Sequence, residues 1–329
     1  ATGTTAANAL AGQADLVIGV GTRYSDFTTA SRSVFAEDAR FLNLNVTSFD
    51  AAKLSGLQLV ADAREGLAEL LEACSGYATD AGYRAETATL TRAWDAAVDA
   101  AYGLDGTPLP QSAVIGAVNA AAGQDGVVVC AAGSMPGDLH KLWRPSGPGS
   151  YHVEYGYSCM GYEIAGGLGI KLAEPEREVF VMVGDGSYLM MAQELVTAVA
   201  EGVKLTVVLV DNSGFASIGR LSESVGARRL GTAYRYRGSG GYDGGPLPVD
   251  LAANAASLGA TVLRPESLAD FRKALDAARA ADETTVIYVR TDPMIDSPSS
   301  EAWWDVPVAQ TSPLHDDYLA AKRSQHPHL

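Results

Sequence analysis

Short apolar runs alternate with helical segments along most of this chain, and this alternation constrains the fold more than any other feature. Residues 179–183 and 205–210 are typical of strands buried on both faces, because they are almost entirely apolar and too short for buried helices. Helical segments, including one predicted at 190–202, separate such runs. Strands that alternate with helices form right-handed βαβ units. We therefore predict an α/β fold, a parallel sheet with helices on both faces.

The same pattern divides the chain into four predicted segments. Residues 1–75 contain about two short strands of a covered parallel sheet, which is too few for an independent domain, so we interpret them as the C-terminal part of a larger one. Residues 76–109 are predicted to be a connector and residues 110–296 the main domain. Residues 297–329 are predicted to be an irregular tail around Trp303 and Trp304, which either closes over a site as a lid or docks onto the core. The first residue is not Met, which indicates a truncated or processed product.

The charge of the chain excludes several classes of partner. Lys and Arg number 24 against 39 Asp and Glu, and the net charge of −15 argues against binding to nucleic acid or to an anionic membrane. No apolar run approaches the roughly 20 residues of a spanning helix, and the N-terminus does not resemble a signal peptide. The three cysteines have no disulfide or metal-binding spacing. We therefore expect a cytoplasmic protein with free thiols.

Two polar sequences follow the runs at 179–183 and 205–210. Gly-Asp-Gly-Ser occupies 184–187 and Asp-Asn-Ser-Gly occupies 211–214. If one helix crosses over between two parallel neighbours, both sequences lie at the C-terminal edge of the sheet, where open α/β sheets bind ligands. Magnesium prefers octahedral oxygen ligands. Here these would be the Asp185 carboxylate, the Asn212 side-chain oxygen and the Gly214 carbonyl, together with oxygens of a diphosphate.

The residues around Asp185 suit an anion beside that metal. Gly184 and Gly186 allow a tight turn and a close approach of the backbone to phosphate. Ser187 and its neighbours open a helix, whose first N–H groups suit an anion. The alternative is structural, with Asp185 as an ordinary turn residue and Asn212 as a helix cap. The presence of both anchors favours the metal site.

The pair of motifs resembles that of the thiamine-diphosphate enzymes, such as pyruvate decarboxylase and acetolactate synthase. Asp185 and Asn212 are 27 positions apart, within the spacing of that family. The resemblance implies a thiamine diphosphate and Mg site, and a Rossmann-like middle domain for residues 1–75. It also implies that Met160 supports the cofactor from below and that the Ser158 carbonyl accepts a hydrogen bond from it. Met160 could instead be a gap filler in the core, a common use of Met.

The same resemblance implies a second diphosphate loop at Gly133 and Ser134, which follow a predicted strand at 127–131. The signal of this loop alone is weak, since glycine and serine are common in turns.

Three further stretches, at 136–144, 151–157 and 302–307, resemble the trihydroxycyclohexane-dione hydrolases of inositol catabolism. This narrower resemblance implies hydrolytic carbon–carbon cleavage of a cyclic polyhydroxy 1,2-diketone to a deoxy-glucuronate, with the cofactor as electron sink. In the first two stretches, His140, His152 and Tyr155 are candidate catalytic residues that donate to ring hydroxyls or relay protons. Each could equally be a satisfied loop residue.

The family resemblance also places one essential group elsewhere. The activating Glu lies on a pyrimidine-binding domain and acts on cofactor bound to the partner subunit, and no Glu of this chain sits in a matching motif. We therefore expect the chain to supply the diphosphate and metal half of a site in a homo-oligomer of at least two subunits. The alternatives are an acetolactate-synthase-like carboligase, a 2-oxoacid decarboxylase, or a non-catalytic cofactor-binding subunit.

Overall fold

The computed structural model describes residues 3–154 and 156–325. It contains two compact units. The first comprises residues up to Val98 together with those from Pro298 onward, and the second comprises Asp99–Ser297. The tail therefore groups with the N-terminal segment, and the four-segment division expected from the sequence stays a prediction.

A three-stranded parallel sheet of order β1-β2-β3 forms the centre of the first unit. Its strands are β1 (Leu16–Val20), β2 (Arg40–Asn45) and β3 (Leu57–Val60), and its N-terminal helices are α1 (Thr5–Gln13), α2 (Asp26–Thr29), α3 (Ser48–Ala51) and α4 (Ala63–Ala73). Helix α4 starts where it does because the Asp62 carboxylate accepts the N–H of Arg64 at 2.9 Å, a typical N-cap.

The sheet of the first unit departs from the sequence prediction in two respects. It has three strands rather than about two, because Leu57–Val60 pairs with β2. Within the described residues it is also not covered on both faces, since Leu16, Ile18 and Val20, on one face of β1, are exposed. Apolar composition therefore predicted the strands but not their burial.

A six-stranded sheet of order β5-β4-β6-β7-β9-β8, parallel throughout, forms the second unit. Helix α5 (Ala81–Tyr102) leads into it from the first unit. The strands are β4 (Val127–Cys130), β5 (Tyr151–Val153), β6 (Val179–Gly184), β7 (Thr206–Asp211), β8 (Thr261–Leu263) and β9 (Thr285–Arg290). The helices are α6 (Gln111–Ala122), α7 (Ser134–Leu142), α8 (Tyr162–Ala173), α9 (Asp185–Met191), α10 (Glu194–Ala200), α11 (Ala216–Ser224), α12 (Leu251–Ser257) and α13 (Leu268–Ala280), and the tail of the chain ends in α14 (His315–Gln325).

The centre of this second sheet is buried on both faces. Every residue of β4 is buried, as is every residue of β6 and β7 except the last of each. Burial on both faces is the mark of a parallel sheet between two helical layers, and it confirms the predicted α/β fold. None of the helices within 3–154 and 156–325 is both long and apolar enough to cross a bilayer.

The helix predicted at 190–202 is wrong in its extent. Two helices replace it, α9 and α10, and the first begins at Asp185, directly after β6. Gly184 is extended, with φ −76° and ψ 155°, so the chain passes from strand to helix without an intervening loop.

The tail docks onto the first unit, and its predicted irregularity is wrong at α14. The Trp304 indole N–H donates to the Asp26 carboxylate at 2.7 Å, and its ring lies 4.9 Å from that of Phe27. The backbone N–H of Asp305 donates to the Ser31 hydroxyl at 2.8 Å. These contacts favour the docking alternative over a lid.

Two glycines of α8 offer a matched test of how closely this helix packs on the sheet. A Cβ on Gly167 would lie 2.3 Å from Val181 Cγ2, whereas a Cβ on Gly169 would meet no atom within 4 Å. Because valine is stiff, we expect Gly167→Ala to destabilise the fold by about 1–3 kcal/mol. Gly169→Ala should stabilise it by about 0.5–1 kcal/mol through helix propensity. Urea unfolding of both variants measures this, and equal effects would contradict the close packing.

Candidate active site

The chain reverses its direction across the second sheet between β4 and β6. From β4 it goes to β5 on one side, whereas from β6 it goes to β7 on the other. The connections that follow β4 and β6 therefore diverge and leave a crevice at the carboxyl ends of these strands, the usual ligand position in open α/β sheets. The segments that follow β4, β6 and β7 surround this crevice.

The register of β6 and β7 brings the two motifs together. Gly184 pairs with Val210, so Asp185 and Asp211 leave the sheet side by side. The backbone N–H of Gly214 donates to Asp185 Oδ2 at 2.7 Å, across 29 positions of sequence. The N–H of Gly186 donates to the other carboxylate oxygen, Oδ1, at 2.9 Å. The two motifs thus form one cluster.

Gly214 occupies a position that only glycine can take. Its φ is +145°, and a Cβ there would lie 2.2 Å from the Thr232 carbonyl oxygen. That carbonyl accepts the N–H of Phe215 at 2.8 Å, and the N–H of Tyr234 donates to the Ser213 carbonyl at 3.2 Å. A strap at 232–234 therefore fixes the loop after β7 from outside. No sequence motif indicated this strap.

Asp185 is a buried carboxylate with a second carboxylate beside it. Asp185 is only 1% exposed. Burial raises the pKa of Asp185 well above its usual range, and the negative charge of neighbouring Asp211 raises this pKa further. With one N–H on each oxygen, the carboxylate still has free acceptor positions. A cation at those positions would offset both causes.

Asn212 presents a buried oxygen toward the same place. Its Nδ2 donates to the Ser134 hydroxyl at 3.3 Å, which fixes the amide. Its Oδ1 is buried and has no hydrogen-bond partner among the described residues. Such an orphaned acceptor costs about 1–3 kcal/mol, and an oxygen-seeking cation such as Mg²⁺ would satisfy it. No cluster of three or more His, Cys, Asp or Glu side chains suited to a metal occurs in the described part of the chain.

A cavity of about 210 Å³ lies at this edge of the sheet. All ten residues predicted to bind the cofactor line it: Gly133, Ser134, Ser158, Met160, Gly184, Asp185, Gly186, Ser187, Asn212 and Gly214. Its volume is below the roughly 300–1,000 Å³ of pockets that enclose a drug-sized ligand, so it suits one part of a cofactor. A larger cavity of about 1330 Å³, beside β1 and β2 in the first unit, contains none of these residues. The binding role of the ten residues stays a prediction.

Met160 and the unpredicted Phe215 form an apolar wall of this cavity. A Cβ on Gly186 would lie 2.8 Å from the Phe215 ring and 3.5 Å from Met160 Cε. Met160 is half-buried and faces the cavity, which favours its cofactor-supporting role over that of a core filler. Nearby Ser158 has a φ of +53°, a strained conformation for a non-glycine residue that is typical of functional loops.

Glu163 is a buried acid next to the site, and no sequence motif predicted its role. It is 0% exposed and accepts the Ser187 hydroxyl at 2.7 and 2.8 Å on its two oxygens. Its Oε2 also accepts the backbone N–H of Gly161 at 3.1 Å. The hydroxyl of Ser187 is therefore engaged with Glu163. The one available signal was an acidic residue at the start of an otherwise apolar and glycine-rich helix.

The two predicted catalytic histidines do not join this cluster. His140 faces the Tyr151 ring at 6.0 Å, and burial lowers its pKa. His152 stacks on Tyr162 and shares a hydrogen bond of 2.7 Å with its hydroxyl. Neither histidine lines the cavity, and Tyr155 lies outside the described residues. Their role toward a substrate stays a prediction.

The switch-point crevice and the paired oxygens after β6 and β7 define a cofactor-binding α/β domain. Residues 131–289 match the family described as thiamine pyrophosphate enzyme, C-terminal TPP binding domain. Residues 1–70 match the central domain of the same enzymes. The chain belongs to the thiamine-pyrophosphate enzyme family, which confirms the predicted family and supports thiamine diphosphate as the cofactor.

Curated relatives share one name. The chain is 41% identical to the 3D-(3,5/4)-trihydroxycyclohexane-1,2-dione hydrolase of Bacillus cereus (strain AH820), over 94% of this chain and 53% of that protein. The protein of the same name from Bacillus thuringiensis (strain Al Hakam) is 41% identical over the same shares. That of Bacillus anthracis is likewise 41% identical, again with 94% and 53% covered. The chain thus spans about half the length of these relatives.

The burial of Asp185 predicts a pH-dependent stability without metal. Because its pKa is raised in the folded state, Asp185 favours folding most below the ordinary Asp pKa of about 4, and this contribution is lost as pH rises through the raised pKa. Asp185→Asn lacks this loss. In EDTA, the stability of Asp185→Asn relative to the wild type should therefore rise by about 1–3 kcal/mol between about pH 5 and 8. Urea unfolding across this range measures it, and parallel pH curves would contradict it.

Proposed function

We propose that this chain supplies the diphosphate- and metal-binding half of the active site of a thiamine-diphosphate-dependent hydrolase, which opens a cyclic 1,2-diketone. The observation that carries the proposal is the orphaned Oδ1 of Asn212, a residue that lines the same cavity as the buried Asp185. The side-chain oxygens of these two residues point to one cation at the switch point of the sheet, where the family binds its cofactor.

The residues at this point fit Mg²⁺ bound to a diphosphate. Asp185 would give a carboxylate oxygen, Asn212 its Oδ1 and Gly214 its backbone carbonyl, and phosphate oxygens complete such sites. Thiamine diphosphate, when bound, supplies a nucleophilic carbon and an electron sink for carbon–carbon cleavage. The protein's contribution is to bind it, to orient it and to shape the cavity around it.

The remaining lining residues divide this work by chemistry. The loop at Gly133 and Ser134 opens α7, a helix whose first N–H groups suit a diphosphate. Met160 and Phe215 offer apolar surface to the ring system, and the Ser158 carbonyl offers an acceptor for its amine. Because Asp185 is buried, charge interactions within its site are stronger than they would be in water.

The substrate class rests on the relatives and on the sequence. The relatives are named trihydroxycyclohexane-dione hydrolases, and the stretches at 136–144, 151–157 and 302–307 resemble that family. We extend to this chain a cyclic polyhydroxy diketone as substrate, with His140, His152 and Tyr155 as its polar contacts. The activating Glu would come from a pyrimidine-binding domain of a partner subunit, in a cytoplasmic homo-oligomer.

Binding of the cofactor is the first test. Calorimetric titration with thiamine diphosphate should show binding that requires Mg²⁺. Asp185→Ala and Asn212→Ala should each weaken it by about 100-fold or more, since each removes a metal ligand. Asp276→Ala, which removes an exposed acid on α13, is the control and should bind like the wild type. Metal-independent binding, or unchanged binding by both site variants, would rule out the site.

Turnover tests the reaction. The chain combined with a Glu-bearing pyrimidine domain should hydrolyse trihydroxycyclohexane-dione and leave pyruvate unchanged. Pyruvate turnover instead would identify a carboligase or decarboxylase. Cofactor binding without turnover of either substrate would identify a non-catalytic cofactor-binding subunit.

A further inference from the structure

One buried carboxylate connects three segments of the cavity wall. Glu163 accepts the Ser187 hydroxyl, from the first turn of α9, and the N–H of Gly161, from the loop before α8. The backbone of Ala132, in the loop after β4, also interacts with this carboxylate and lowers its pKa. Ser187 reinforces the connection, because its hydroxyl accepts the Gly161 N–H at 2.7 Å. Asp185 makes the remaining connection, to the loop after β7.

We propose that Glu163 is a positioning residue of the cofactor site, which holds the segment around Met160 in place against the start of α9. Gly161, which Glu163 binds, directly follows Met160, and Ser187 comes two positions after Asp185. The inference rests on the proposed cofactor site and adds a residue that touches neither metal nor cofactor. Its effect is to fix the distance between the apolar wall and the metal ligands.

A negative charge on Glu163 does not stabilise the fold. No Lys, Arg or His among the described residues forms an ion pair with it, and burial raises its pKa. A buried charge without an opposite charge opposes folding. We therefore expect Glu163→Gln, which removes the charge and keeps the volume, to fold. The amide can no longer accept every one of these hydrogen bonds, because its NH2 group is only a donor.

Binding of two different ligands distinguishes the positioning role of Glu163 from metal binding. Inorganic diphosphate with Mg²⁺ needs only the metal ligands and the phosphate loops, whereas thiamine diphosphate with Mg²⁺ also needs the Met160 wall. Glu163→Gln should weaken binding of thiamine diphosphate by about tenfold, as expected for a supporting residue. It should leave binding of inorganic diphosphate within about twofold of the wild type. Calorimetric titration of both ligands measures this ratio.

The matched control is Glu178→Gln. Glu178 also accepts a hydroxyl, that of Thr206 at 2.9 Å, but it precedes β6 at the opposite edge of the sheet. Glu178→Gln should change neither the affinity for thiamine diphosphate nor that for inorganic diphosphate. Glu163→Asp draws the carboxylate back from Ser187 and Gly161 and should reproduce the selective loss. It decides the question if Glu163→Gln does not fold.

The outcomes are distinct. Selective loss of thiamine diphosphate binding in Glu163→Gln or Glu163→Asp supports the inference. Equal losses of both ligands, or no loss of either, overturn it. Equal affinities of the wild type for the two ligands also overturn it, because the Met160 wall would then contribute nothing. If the wild type binds neither ligand, the proposed function itself fails.

Discussion

The parallel pairing of β6 with β7 is the constraint on which the site depends. The Gly184–Val210 register brings the ends of the two strands level, and the Gly214 N–H can then reach the Asp185 carboxylate at 2.7 Å. A shift of one residue would turn every buried side chain of the strand to the other face. The fully buried strands therefore fix the register, and the register fixes which oxygens meet. Core packing and site geometry have a common origin here.

The sequence predicted what depends on local pattern and on topology. The strands predicted at 127–131, 179–183 and 205–210 follow from apolar runs and correspond to β4, β6 and β7. The meeting of Asp185 with the 212–214 loop follows from a single crossover between parallel strands. It did not predict the three-residue β5, which is too short to show a pattern. Nor did it predict the break between α9 and α10, because Ala192 and Gln193 are good helix formers and only tertiary context interrupts them.

Burial of polar groups was the other limit of the sequence. At the start of a helix, Glu163 has the features of a solvated residue, and nothing local shows that Ser187 and Gly161 converge on it. The strap at 232–234 belongs to a glycine-rich stretch without periodicity, so its contact with Gly214 cannot be predicted from the sequence. Both features arise from long-range proximity. The oxygens of the site could be named from motif spacing, whereas Glu163 and the strap at 232–234 could be found only in the folded structure.

The sheet order also constrains when a ligand can act during folding. The cavity is lined by segments that follow three different strands. Ser134 and Asn212, which form a hydrogen bond there, are 78 positions apart. Contacts this distant form only after the intervening chain has lost its loop entropy. A cofactor therefore meets no partial site on an unfolded chain. A cofactor that binds only the finished sheet would stabilise it by mass action. Cofactor supply would then set how long assembled molecules persist rather than how fast they assemble.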